Sequence, residues 1–194
     1  DSDGDLQTVN DQRVTTNVFD NQGRLSQVST DEGIIVYEYD ILGRKTSSSI
    51  YTAGSDPEID TPERVTTYTY DSLSRLSTVS DDLDPLSGSD QPLTTSYQYD
   101  ILGNLKRVDL PNDFIEEYTY DDLNRLDKLT HYVADSSPDD LTDNPKAAEF
   151  DYTTRPDGKR SGVTETFWMD SDGDGNTEEY INQINWTYDD AGRL

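Results

Sequence analysis

The sequence predicts an all-β protein, a repetitive antiparallel β-hairpin array that forms a ribbon or a solenoid-like strip. Three observations support this fold class. A motif of the form Tyr-x-Tyr-Asp-x-Leu recurs down the chain, its tyrosines alternate with polar residues, and a residue suited to a tight turn follows each copy. A unit that repeats in this way is typical of an array of one supersecondary element, and such arrays are more often structural than catalytic.

The tyrosine pair and the aspartate of the motif are present together in four places. They are Tyr37, Tyr39 and Asp40; Tyr68, Tyr70 and Asp71; Tyr97, Tyr99 and Asp100; and Tyr118, Tyr120 and Asp121. Looser copies stand near the two ends of the chain, with Phe19 and Asp20 in the first and Tyr188 and Asp189 in the last. Because the copies span almost the whole sequence, we predict that residues 1–194 form a single array.

Each tyrosine pair predicts a strand with one buried face. Residues i and i+2 of a strand point to the same face, and the residue between Tyr37 and Tyr39 is the polar Glu38. The other complete motifs carry threonine or glutamine at that position. This alternation predicts that the phenol rings of successive hairpins form one continuous buried row, while the opposite face is wet.

The residues after each tyrosine pair predict a turn. Aspartate favours the first position of a type I turn, because its carboxylate accepts hydrogen bonds from the turn backbone. Three residues later stands a glycine in most copies, with Asn124 and Ser74 as substitutes. We therefore predict a type I turn closed by a left-handed residue in a G1 bulge, a conformation to which Ser74 is least suited.

The strand that follows each turn usually begins with leucine and carries valine or leucine three residues later, as in Leu105 and Val108. Lys45 stands where most copies have the first leucine. Two residues spaced by three would face opposite sides of a flat strand. A bulge is one way to bring them to the same face, and the sequence leaves this question open.

Three longer intervals between the motifs predict inserted surface loops, at residues 51–62, 80–92 and 134–147. These segments are rich in proline, serine and aspartate. Insertions in a repeat array normally form loops at its surface. A degenerate copy with an Asp157-Gly158 turn fills the last interval and predicts one further hairpin.

The repeats resemble the YD-repeat, or Rhs, family over almost the whole chain, because the tyrosine pair, the aspartate and a Gly-Arg step such as Gly43-Arg44 recur together. The resemblance implies β-hairpin ribbons of extracellular proteins, which spiral into strips or hollow shells. Members of the family include the shells of insecticidal toxin complexes, bacterial polymorphic toxins and the teneurins. Six or seven hairpins are expected to be too few to close a large shell.

Two segments rich in aspartate predict calcium sites, at residues 1–5 and 170–179. The candidate ligands are Asp1, Asp3 and Asp5 in the first segment, and Asp170, Asp172, Asp174, Asn176 and Glu178 in the second. Ca²⁺ binds six to eight oxygens, and alternating carboxylates supply several of them in one tight loop. The loop is not an EF-hand, because Ile181 takes the place of the final glutamate. The alternative is an acidic turn without metal.

The two aspartate-rich segments also suggest a longer period. Residues 1–25 align with residues 170–194 without a gap, and the offset from Asp1 to Asp170 is 169 at every matched position. One interpretation is a higher-order repeat of about this length. The other is that an acidic loop and a hairpin follow one another twice without a larger period.

Charge and composition exclude several classes of function. The chain has 41 acidic and 15 basic residues, a net charge of -26, which repels nucleic acids and anionic membranes. No apolar run is long enough to cross a membrane. There is no cysteine, and His131 is the only histidine, so a thiol nucleophile and a zinc site are not expected. We predict that the protein is not an enzyme and that His131 is a packed or surface residue.

These expectations together predict a non-enzymatic, extracellular or cell-surface structural segment of a giant surface or secreted protein. Such a segment would assemble into a fibre or sheath, with adjacent repeats of the same or neighbouring chains as its partners. One alternative is an adhesin segment that binds glycan or protein, with Trp168 and Trp186 as an exposed aromatic platform. The other alternative is part of a toxin-encapsulating YD shell.

Overall fold

The computed structural model describes residues 14–87, 91–134, 141, 144–171 and 176–189. In this part of the chain, thirteen strands form one sheet in which every strand lies beside its neighbours in sequence. The strands are β1 (Thr16–Phe19), β2 (Leu25–Ser29), β3 (Gly33–Tyr39), β4 (Lys45–Thr52), β5 (Arg64–Tyr70), β6 (Leu76–Asp82), β7 (Leu93–Tyr99), β8 (Leu105–Asp109), β9 (Phe114–Tyr120), β10 (Leu126–Val133), β11 (Lys146–Thr154), β12 (Arg160–Met169) and β13 (Glu178–Asn185). The predicted array of antiparallel hairpins is therefore confirmed.

Contacts divide this sheet into two compact units. The first unit comprises Asp1–Ser74 and Val79–Leu93, and the second comprises Arg75–Thr78 and Thr94–Leu194. Each unit contains several of the repeated hairpins, so each can be described by the same local geometry. Among the described residues there is no helix that could span a lipid bilayer.

The turns have the conformation that their sequence predicts. The backbone angle φ is +82° at Gly43 and +93° at Gly103, and it is also positive at the two substitutes, +64° at Ser74 and +62° at Asn124. In the turn that begins at Asp40, the N–H of Gly43 donates to the carbonyl oxygen of the aspartate at 3.0 Å. The left-handed position is therefore retained even where a side chain makes it costly.

A bulge follows the turns at Gly43, Gly103 and Asn124 and answers the question about the return strand. In the hairpin of β7 and β8, Tyr97 lies opposite Val108, while Tyr99 lies opposite Leu105, with a register shift between them. The extra residue of the bulge moves Leu105 and Val108 onto one face. Directly opposite residues share a face, so the aliphatic pair and the tyrosine pair pack on the same side of the sheet.

The buried core differs from the one predicted. The most deeply buried apolar residues are Ile34, Tyr51, Val108, Ile115, Tyr132 and Val163. No member of a repeated tyrosine pair belongs to this group, and all eight of those tyrosines are half-buried. The rings lie on one face of a single sheet, so the contacts that cover them come from neighbouring hairpins, such as Arg24 over the ring of Tyr39. The polar residues between the paired tyrosines are exposed, in agreement with the predicted alternation.

Two pairs of apolar residues lie at the ends of the strands that are distant from the repeated turns. Ile34 lies directly opposite Tyr51, and Ile115 lies directly opposite Tyr132. Ile34 is three residues from Tyr37, so its side chain points to the face opposite the phenol rings. The deepest packing is therefore partly on the face that the sequence predicted to be wet.

The inserted loops are shorter than predicted, because strands extend into all three. β4 continues to Thr52 and β6 to Asp82, and β11 begins at Lys146. In the first case the pairing of Tyr51 with Ile34 holds the strand beyond the predicted boundary. Hydrogen bonding with an adjacent strand thus outweighs a local composition that favours a loop.

Candidate functional site

The second tyrosine of each motif forms a hydrogen bond with the preceding hairpin. The hydroxyl of Tyr39 donates to the carbonyl oxygen of Leu25, the first residue of the preceding return strand, at 2.8 Å. The same bond joins Tyr70 to Lys45 at 2.7 Å, Tyr99 to Leu76 at 2.9 Å, Tyr120 to Leu105 at 2.8 Å and Tyr188 to Arg160 at 2.8 Å. The tyrosine is thus a side chain that links one hairpin to the next.

The arginine of each turn strengthens the same junction. Arg24 donates from Nε to the carboxylate of Asp20 within its own turn at 2.7 Å. Its guanidinium carbon lies 4.6 Å from the centre of the Tyr39 ring in the next hairpin. From Nη1 it also donates to the carbonyl oxygen of Asp40 in the next turn at 3.2 Å. One side chain therefore contacts two turns and an aromatic ring.

We call this combination of turn aspartate, turn arginine and the next hairpin's second tyrosine the hairpin clamp. The guanidinium of Arg44 lies 4.5 Å from the ring centre of Tyr70, and that of Arg75 lies 4.4 Å from the ring centre of Tyr99. Arg44 also donates from Nη1 to the hydroxyl of Ser74 at 3.1 Å. The clamp is therefore complete at Arg24 and Arg44 in the first unit, and its arginine-tyrosine contact recurs at Arg75 and Tyr99 in the second.

Two junctions depart from this pattern in an informative way. Asn104 stands in the arginine position, where its amide donates to the Asp100 carboxylate at 2.9 Å but brings no charge to the ring of Tyr120. At the other junction, Lys45 replaces the usual leucine. Its ammonium lies 4.9 Å from the ring centre of Tyr37 and 5.4 Å from that of Tyr68, so the cation takes part in the row of phenols.

The electrostatics of the turns favour ionised aspartates. The backbone N–H of Arg24 and its guanidinium lower the pKa of Asp20. At Asp121 the guanidinium of Arg125 is the main cause of a lowered pKa, followed by the backbone bond from the same residue. Hydrogen bonds to the charged form thus outweigh the effect of partial burial.

The other residues predicted from the repeat lie at the corresponding positions of the motif in their own hairpins. The aspartates at positions 40, 71, 100 and 121 are half-buried, whereas Asp189 is exposed. Tyr188 is half-buried, and the cations of Arg155 and Lys159 lie over its ring at 5.8 Å and 5.1 Å from the centre. The sequence pattern identified these positions, but it did not reveal the bond between hairpins or the stacked arginine.

His131 lies in an aromatic row rather than in a cleft. Its ring meets that of Phe150 edge-on, with ring centres 5.8 Å apart, and Phe150 meets Phe167 in the same way at 5.9 Å. Nδ1 of the histidine is 3.6 Å from a carboxylate oxygen of Glu116, which lies directly opposite on β9. This environment is that of a packed side chain.

The two tryptophans considered as an exposed platform are both half-buried. The ammonium of Lys146 lies 5.4 Å from the ring centre of Trp168, so one side of that ring already has a neighbour. The backbone N–H of Trp186 donates to the carbonyl oxygen of Ser161 at 2.8 Å. Both side chains are therefore only partly exposed.

Most of the predicted calcium ligands lie outside the described residues. These are Asp1, Asp3, Asp5, Asp172 and Asp174. Within the described part of the chain, no three carboxylate, histidine or cysteine side chains are grouped so that they could hold a metal ion. Calcium binding therefore stays a prediction.

Three predicted ligands at the second aspartate-rich segment are described. Asp170 and Asn176 are exposed on the segment between β12 and β13. Glu178 begins β13, and its carboxylate accepts hydrogen bonds from the backbone N–H of Ser171 at 3.0 Å and from its hydroxyl at 2.9 Å. These bonds lower the pKa of Glu178, with the backbone bond as the largest cause.

Comparison with known proteins finds similar structures but no family. No protein-family model matches the chain, and no curated protein matches it. A chain in the crystal structure of TcdB2-TccC3-Cdc42 is 18% identical, with a TM-score of 0.46, over 86% of this chain and 10% of that one. A chain of the Photorhabdus luminescens Tc holotoxin pore is 17% identical, with a TM-score of 0.47, over 86% and 9%.

A third similar structure is a porin-like protein from Bacteroides uniformis. It is 13% identical, with a TM-score of 0.35, over 90% of both chains. The present chain spans only about a tenth of the length of the toxin-complex chains that it matches.

Proposed function

We propose that this chain is a non-enzymatic structural segment of the YD-repeat type, belonging to a large secreted or cell-surface protein. The observation that carries the proposal is the hairpin clamp. Each clamp uses residues of two successive hairpins, as when Arg24 and Leu25 of one hairpin contact Tyr39 of the next. A contact that recurs between identical units is what an extended array requires.

The hairpin clamp adds stability that a single hairpin lacks. An isolated two-stranded hairpin is marginally stable in water at best. A hydrogen bond such as that from Tyr39 to Leu25 adds about 0.5–1.5 kcal/mol. A cation over a partly exposed ring adds about 0.5–1 kcal/mol. Because both contributions join neighbours, the stability of each hairpin depends on the next one along the array.

The outermost strands offer a means of assembly. β1 and β13 are the first and last strands of the sheet, and within the described residues each pairs on one side only. Ile181 on β13 is 61% exposed. Strands with an unpaired edge accept a further strand, so the proposed partners are adjacent repeats of the same or neighbouring chains.

Electron microscopy of the purified chain tests this assembly. We expect elongated particles that lengthen with protein concentration, and we expect Ile181→Lys to shorten them, because a lysine on an edge strand opposes pairing. Ile59→Lys is the matched control, since Ile59 is also exposed but lies between β4 and β5. Isolated particles at every concentration would refute assembly through the edges.

Calcium binding by the segment between β12 and β13 is part of the proposal. Its support is the density of carboxylates in the sequence and the carboxylate of Glu178, which is held towards the start of the segment by Ser171. Extracellular calcium modules work at about 10⁻⁴–10⁻³ M. An extracellular or cell-surface location belongs to the same proposal and rests on the resemblance of the repeats.

A further inference from the structure

The repeated turns present exposed aliphatic side chains at their tips. In the first unit these are Ile41, Leu42 and Leu73, and in the second they are Ile101, Leu102 and Leu123. We call them the apolar tips. The two isoleucines are almost fully exposed, and the four leucines are between 68% and 73% exposed. Single exposed aliphatic side chains are common at protein surfaces, whereas groups of them rimmed by polar residues mark contact sites.

Turn formation does not require these side chains. The backbone N–H of Leu42 donates to the carboxylate of Asp40 at 2.9 Å. In the first turn, Gln22 occupies the same position and makes the same bond to Asp20, also at 2.9 Å. The leucines therefore need an explanation other than the geometry of the turn.

The apolar tips of each unit lie on adjacent hairpins whose turns are bonded together. In the first unit, Arg44 donates to the Ser74 hydroxyl at 3.1 Å, which joins the turn of Leu42 to that of Leu73. In the second unit, the side-chain amide of Asn124 donates to that of Asn104 at 3.2 Å. Adjacent hairpins are two strands apart, so the tips repeat at about 9.6 Å.

Local charge opposes a contact between two copies of this strongly acidic chain less at these tips than elsewhere. The net charge of -26 repels a second copy from most of the surface. Beside the tips, however, Asp40 is paired with Arg44 at 2.6 Å, and Asp121 is paired with Arg125 at 2.6 Å. An approach there buries apolar side chains without leaving those carboxylates unpaired, although the tip beside Leu123 also carries the exposed carboxylate of Asp122.

We infer that the apolar tips are a contact surface for a second copy of this chain. A copy related by a two-fold axis presents the same tips at the same spacing, so the side chains of one copy fit between those of the other. This contact lies along the turns and is separate from strand pairing at β1 and β13. It therefore goes beyond the assembly proposed above and does not depend on it.

Sedimentation of the Ile181→Lys chain tests the inference, because that substitution opposes pairing through β13. We expect a dimer whose population rises with protein concentration. We also expect tighter association at about 0.5 M salt than at about 0.05 M. Added salt shortens the Debye length, so the like charges of the two copies repel each other less. A cationic partner bound at the same surface would show the opposite dependence on salt.

The decisive variant replaces the four tip leucines together, as Leu42→Gln, Leu73→Gln, Leu102→Gln and Leu123→Gln. We expect its dimer dissociation constant to rise at least tenfold, while its melting temperature is unchanged, since Gln22 already fits this turn. The matched control replaces exposed residues away from the tips, as Ile59→Gln, Leu83→Gln and Leu86→Gln. A monomer under all conditions, or equal dissociation constants for the two variants, would overturn the inference.

Discussion

The hydroxyl of Tyr99 donates a 2.9 Å hydrogen bond to the carbonyl oxygen of Leu76, which lies 23 positions earlier in the sequence. The guanidinium of Arg75, the residue before Leu76, lies 4.4 Å from the centre of the same tyrosine ring. Two consecutive residues of one hairpin thus hold one side chain of the next.

Removal of the Tyr99 hydroxyl is expected to weaken the junction between hairpins. Tyr99→Phe leaves the ring under Arg75 but removes the donor to Leu76, so we expect a loss of about 0.5–1.5 kcal/mol in the free energy of unfolding. Urea denaturation measures this loss. Tyr97→Phe is the matched control, because the Tyr97 hydroxyl bonds to no described residue. Equal losses for the two variants would contradict a linking role for Tyr99.

Completion of the clamp at Asn104 is expected to stabilise the protein. Asn104→Arg brings a guanidinium to the ring of Tyr120, as Arg75 does for Tyr99. We expect the free energy of unfolding to rise by about 0.5–1 kcal/mol, the usual contribution of a cation over a partly exposed ring. Asn104→Ala, which removes the bond to Asp100, should change stability in the other direction. A loss of stability in both variants would show that the arginine does not act through the ring.

The left-handed turn position is expected to discriminate between small side chains. Gly23 has φ of +78°, and a Cβ added there meets no atom within 4 Å, so any effect of substitution comes from the backbone. We expect Gly23→Ala to cost about 1–2 kcal/mol of stability. Gly23→Asn should cost less, because asparagine tolerates this conformation, as Asn124 does here. Thermal unfolding of both variants checks the order, and equal costs would argue against a left-handed turn.

Acid is expected to destabilise the turns, because it protonates the aspartate that accepts their hydrogen bonds. The bonds from Arg125 lower the pKa of Asp121 below its usual value of 3.8. Because the folded-state pKa is depressed, the stabilisation is fully present above about pH 4 and is lost as the pH falls through the lower folded value. Melting temperatures measured from pH 6 to pH 2 should therefore fall less steeply for Asp121→Asn. Asp122→Asn removes a carboxylate from the same turn and is the control for net charge.

Removal of calcium is expected to lower the melting temperature. If the segment between β12 and β13 binds Ca²⁺, chelation leaves its carboxylates to repel one another and to loosen the connection. Glu178→Gln should reduce the effect of chelator, because the substitution removes one candidate ligand. A melting temperature that chelator does not change would exclude a stabilising metal site. Addition of Mg²⁺ in place of Ca²⁺ distinguishes a specific site from general screening of charge.

Much of the fold can be predicted from the sequence because its determinants are local. Alternation around Tyr37 and Tyr39 predicts a strand, and Asp40 with Gly43 predicts the turn and its left-handed residue. These are preferences of neighbouring residues for one backbone conformation, so they can be recognised without knowledge of what lies beside the strand. The row of hairpins then follows from the repetition of the motif.

The sequence by itself determined the hairpin, its turn and the array, and the tertiary structure alone decided what joins one hairpin to the next. The bond from Tyr39 to Leu25, the place of Arg24 over the tyrosine ring, and the deep burial of Ile34 against Tyr51 all depend on strand register. A bulge of one residue sets that register and changes which side chains share a face. Contacts between strands arise only when the sheet has formed, so the alternation predicts which face the tyrosines share but not how far each ring is covered.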